Sequence, residues 1–125
     1  YQVEADQLES MRQVLVEGMP TVLLSHIPIS LPTLRPAVME AMAGNPIMMA
    51  DPDWAAESRK ENYVEDTTPE TYKFVRLVSQ AENLVAGLTG HCHFAHVDAI
   101  NPWAAQYLAP PGYAGEFGLF EFQPL

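Results

Sequence analysis

The chain has one cysteine, Cys92, in 125 residues. An internal disulfide is therefore excluded. A lone thiol fits a reducing compartment, so the cytoplasm is the expected location, with a processed secreted form left open. Positive charge is equally scarce. Six Lys and Arg face 16 Asp and Glu, a formal charge of −10. Such a chain repels phosphate backbones and anionic bilayers, so no direct nucleic-acid binding through a basic surface is expected. An anionic substrate would need a local positive centre, which a bound metal can supply. Long apolar runs are missing too. Stretches such as 21–24 and 83–88 are far short of the ~20 residues of a membrane helix, so no membrane span is expected. The sequence starts at Tyr1 rather than a methionine, and no signal peptide is expected within it, a removed one being left open.

What is present is a globular balance, 48% apolar and 18% charged. A chain of this length buries roughly two-thirds of its unfolded surface, enough for one core. Residues 3–17 have the spacing of a helix, with Val3, Leu8, Met11, Val14 and Leu15 near one face and Gly18 as its stop. The run 21–25 reads as a buried strand, halted after His26 by Pro28 and Pro32. Residues 34–43 form a weak helical pattern ended by Gly44. No period organises 44–68, which reads as a long excursion. Thr68-Pro69-Glu70 is a helix start leading to about Ala81: a cap, a proline at the first position and an acid in the first turn. Strands are expected at 84–89 and 94–100. A final strand is expected from Phe117, Leu119, Phe120 and Phe122, as core. The class is α/β (α+β).

All four histidines bear on chemistry. His26 and His91 each follow a hydrophobic strand, where ligands commonly sit in α/β folds. If the backbone is extended at 91–93, His91 and His93 face one side ~6.6 Å apart and Cys92 the other. Neutral imidazole is the commonest metal ligand, and Gly90 would let a backbone or a ligand approach closely. His96 reads as a polar residue of a sheet edge. Given seven Gly and four His, Gly-His-x-His would occur roughly 0.007 times by chance in this composition, a moderately specific signal. Cys92 reads as a buried, inert thiol rather than a reactive one. Tyr113 can line a site mouth or pack a turn. Trp54, Arg59, Lys60 and Tyr63 can shape a substrate pocket or belong to a solvated loop.

Two motifs, Val22-Leu23-Leu24-Ser25-His26-Ile27-Pro28-Ile29 and Gly87-Leu88-Thr89-Gly90-His91-Cys92-His93-Phe94, give the chain a wider likeness. With the closing Pro111-Gly112-Tyr113-Ala114-Gly115-Glu116-Phe117-Gly118-Leu119, the sequence resembles the C-terminal half of the calcineurin-like metallophosphoesterases. The resemblance covers most of residues 1–125 as one segment, with 44–68 matched least. It implies half of a four-layer α/β/β/α sandwich, a mixed sheet with flanking helices. It implies two divalent ions (Mn, Fe or Zn), with His26 and His91 on the second and His93 on the first. It also implies hydrolysis of phosphate mono- or diesters by a hydroxide bridging the two ions.

The family's earlier motifs, Asp-x-His, Gly-Asp-x-x-Asp and Gly-Asn-His-Asp/Glu, are absent. Asn45, Asp51 and Asp53 follow His26 and stand in the wrong order to replace them. The expectation is therefore a piece of a longer enzyme. Its catalytic and substrate-binding residues would lie elsewhere, and the isolated chain would hold at most one ion, weakly, and turn over no substrate. The alternative is a non-catalytic metal-binding or oligomerising domain. Half a sandwich leaves apolar sheet surface open, so the isolated chain is expected to form homo-oligomers.

Overall fold

Glycine or proline stands at several element boundaries, among them Gly18, Pro20, Gly44, Pro69 and Gly90. The computed structural model describes residues 2–51 and 67–123. Asp53, Trp54, Arg59, Lys60 and Tyr63 lie outside the described residues. Among those described, the order is helix α1 (Ala5–Val16), strand β1 (Thr21–Leu24), helix α2 (Leu34–Ala41), helix α3 (Pro69–Gln80), strands β2 (Leu84–Thr89), β3 (His96–Ala99) and β4 (Ala105–Leu108), and a 3-10 turn (Gly112–Ala114).

The helices begin and end for local reasons. A capping box holds the start of α1, where the Gln7 side chain accepts from the backbone N–H of Glu4 at 2.9 Å. Past its end, Gly18 takes φ 73°, the left-handed turn that glycine adopts without penalty. Val3, Leu8 and Leu15 are buried as the spacing predicts, but Val14 is 45% exposed and sits off the buried face. Helix α3 starts as expected: the Thr68 hydroxyl accepts from the N–H of Thr71 at 3.2 Å, and Pro69 opens the helix. The Thr71 hydroxyl, fully buried, accepts from the N–H of Val3 at 2.9 Å and so ties the N-terminal segment to α3.

The strands form one mixed sheet in the order β1-β2-β4-β3. β1, β2 and β4 run parallel, and β3 lies antiparallel to β4 at one edge. Leu8 of α1, Leu34 and Val38 of α2, and Phe74 and Val78 of α3 share one apolar cluster with Leu23 and Leu108 of the sheet. The side chain of Gln106, also buried, joins this face to the chain after His26. Its amide accepts from the Ile29 N–H at 2.9 Å and donates to the Ile29 carbonyl at 3.1 Å, as a neighbouring strand would. At the base of the excursion, Asp51 is buried against Arg35 (3.0 Å) and Ser30 (2.8 Å). Its carboxylate is thus engaged in packing.

Two strand expectations are corrected. The fourth strand is β4, at residues 105–108, rather than the aromatic segment near the C-terminus. Residues 116–123 adopt no regular structure, and Phe117 and Leu119 are 83% and 90% exposed, so they are not core. The segment leaves the 3-10 turn through Gly115 at φ 78° and pairs with no strand among the described residues. The Phe120 ring packs on the sheet, edge-on to Tyr107 at 5.3 Å. No described helix is long and apolar enough to cross a membrane.

Candidate functional site

Parallel strands deliver their carboxyl ends to the same edge of the sheet, where ligands bind in open α/β sheets. β1, β2 and β4 all end there. The Ser25 N–H donates to the Leu88 carbonyl (3.1 Å), that of Gly90 to His26 (3.1 Å) and that of Ala109 to Thr89 (2.8 Å). These three bonds splice the outgoing loops together. Between them lies an open cavity of about 220 Å³ lined by His26, His91, His93, Pro110, Pro111 and Tyr113. At about 30 Å³ per water, that volume holds a phosphate-sized group. Three of the four histidines line it; the fourth does not.

The His91 and His26 rings meet edge to face. Their centroids are 5.0 Å apart, with His91 Nδ1 3.2 Å from His26 Nε2. One of these nitrogens donates to the other, so at least one ring is a neutral acceptor in this contact. Burial, then the neighbouring His26 and His93, lower the His91 pKa to about 4. His91 is therefore neutral at pH 7, the form that binds metal. His93, at the exposed rim, sets its ring edge-on to Tyr113 at 5.4 Å. Tyr113 thus stands at the mouth of the cavity.

The extended geometry expected at 91–93 is not what the chain adopts. His91 and His93 both take left-handed backbone, φ 68° and 58°, flanking a bond from the Cys92 N–H to the Gly90 carbonyl at 2.8 Å. A non-glycine residue in that region costs on the order of 1 kcal/mol, and such strain collects at functional sites. Both rings still reach the cavity, because the tight turn, rather than strand alternation, aims them. The same turn sends Cys92 into the core, where it is fully buried and its thiol pKa is raised to about 11 by burial. A Cβ on Gly90 would meet His26 Nδ1 at an ordinary 4.0 Å, so the close approach there is between backbones and does not depend on the missing side chain.

His96 opens β3, and its Nε2 lies 3.3 Å from Asp98 Oδ2. The other Asp98 oxygen accepts from the Thr33 hydroxyl, linking β3 to the start of α2. This pair, a buried carboxylate and a part-exposed imidazole, is separate from the cavity. The sequence offers little notice of Asp98 or Gln106, which are single polar letters in short strands.

The donor set tests the implied metals in part. Two nitrogens held ~2.0–2.1 Å from one tetrahedral zinc stand roughly 3.3 Å apart, and the His26–His91 pair already has that spacing. The same distance is that of the hydrogen bond between the two rings, so an ion held there would replace the proton they share. His93 does not join them as a third donor. Among the described residues, no three His, Cys, Asp or Glu side chains converge on a metal position, so a two-ion centre is not assembled by them. Known protein families offer no match to the chain, and no curated protein matches its sequence.

Proposed function

We propose that the chain contributes a histidine-based divalent-metal site to a phosphoesterase acting on phosphate mono- or diesters. The observation that carries this reading is the close His26–His91 pair at the carboxyl edge of three parallel strands. In this reading His26 and His91 hold one ion and His93 serves a second, with further donors from a longer protein. Divalent ions there would supply the positive charge and Lewis acidity that a −10 chain lacks for an anionic ester. The chain's own residues do the rest. The Ser25–Leu88 and Gly90–His26 backbone bonds fix where the two imidazoles stand, and Tyr113 and the Pro110-Pro111 wall bound the space for the ester. The helix layer and single mixed sheet would be one half of a four-layer α/β/β/α sandwich.

The test is metal content together with hydrolysis of chromogenic phosphate mono- and diesters, with manganese or zinc supplied. The reading expects the isolated chain to bind at most one ion and to be inactive, while a longer polypeptide containing it is active and loses activity with His91→Ala. A longer polypeptide that is inactive, or whose metal content is indifferent to His91→Ala, defeats it.

A second reading, a non-catalytic domain holding one ion, draws on the absence of a third converging donor among the described residues. It expects metal binding through His26 and His91 with no ester hydrolysis in any context.

A further inference from the structure

Residues paired across a sheet point to the same face. On the face away from the helices the register forms two rows, each taking one residue from every strand. One row is Leu24, Leu88, Tyr107 and Val97; the next is Val22, Ala86, Ala105 and Ala99. Neither row carries a charge, in a chain of net charge −10. Neither row belongs to the cluster that joins Leu23 and Leu108 to the three helices. Leu24 is 74% and Val97 58% exposed. Sheets with parallel strands are ordinarily covered on both faces, and β2 reads as such a strand, apolar on both sides. Phe120 packs edge-on against Tyr107 on this face and Ala86 near its middle is buried, while Leu24 and Val97 stay open.

We infer that in the isolated chain, where the second half of the sandwich proposed above is missing, the open part of this face is an interface between two copies. An uncharged, apolar patch is complementary to itself, as a two-fold interface requires. The strongly acidic remainder would repel a second copy anywhere else. The segment that Phe120 holds against this face also exposes Phe117, Leu119 and Phe122, at 83%, 90% and 51%. Those three side chains hold on the order of 400 Å² of apolar surface, and the sheet rows add a few hundred more. The total approaches the ~800 Å² that each partner gives to a standard interface. Two sheets stacked by these faces at ~10 Å would place the helices outermost on both sides. The inference is independent of any metal, since no histidine lies in either row.

Analytical ultracentrifugation of the chain tests it, with Leu24→Lys/Val97→Lys as the probe and Val16→Lys, at an 81% exposed position of α1, as the control. Wild type is expected to be dimeric at tens of micromolar and to dimerise more tightly as salt screens its net charge. The double variant, folded by circular dichroism, is expected to raise the dimer Kd at least ~ten-fold, and the control to leave it unchanged. Should the double variant unfold, Leu24→Ser/Val97→Thr replaces it with the same expectation. A wild-type chain that stays monomeric at about 0.5 mM, or a dimer indifferent to both double variants, overturns the inference.

Discussion

His91 Nδ1 stands 3.2 Å from His26 Nε2, although the two residues lie 65 positions apart. The parallel pairing of β1 with β2 produces this contact, since both strands end at the same edge, two residues before their histidine. The pair is spaced as two ligands of one ion are, and the first prediction follows. His26→Ala or His91→Ala lowers zinc affinity at least ~ten-fold in a chelator competition, whereas His93→Ala lowers it less.

Acid should loosen the fold through His91. Its pKa is lowered to about 4 from an ordinary 6.5. Above pH 6.5 the ring is neutral in both folded and unfolded chains and has no proton-linked effect. As pH falls from 6.5 towards 4, the unfolded chain takes up the proton first, and stability declines until the folded pKa is passed. Because the ring is partly solvated, the loss is about 1–2 kcal/mol. Urea titrations of metal-free protein across that range should show the loss, and His91→Gln should remove it.

The thiol of Cys92 should be inert. It is fully buried, with its pKa raised to about 11. A thiol reagent at pH 8 is expected to label the native chain far more slowly than the urea-unfolded chain. Cys92→Ser, which buries a hydroxyl in an apolar cluster, is expected to cost about 1–3 kcal/mol.

Gln106 pins the segment that follows His26, through both backbone groups of Ile29. Gln106→Leu leaves a buried donor and a buried acceptor without partners, at a cost of about 2–4 kcal/mol in urea unfolding. The same substitution should weaken zinc binding, since it frees the loop that carries His26. Thr68→Ala, which removes only the cap of α3, is expected to cost about 1 kcal/mol and leave zinc binding unchanged.

Much of this arrangement is legible in the sequence, because its signals are local. Thr68-Pro69-Glu70 opens α3 as it reads. The apolar run 84–89 is β2, and His26 and His91 stand just past the strands they follow. What escapes depends on partners far along the chain. β4 has four residues, one of them Gln106, and is a strand because β2 and β3 pair with it. Phe117, Leu119, Phe120 and Phe122 have the apolar, aromatic composition of a strand but find no strand partner among the described residues. Alternation would place His91 and His93 on one side, whereas two left-handed residues bring them to the cavity by a different backbone.

The account rests most heavily on His26 and His91 acting as one ligand pair. Imidazole 15N NMR during a zinc titration observes this directly. The account predicts that the signals of His26 Nε2 and His91 Nδ1 move together and saturate at one equivalent of zinc. Histidine signals that stay unmoved, or a shift confined to one of the two rings, would contradict it.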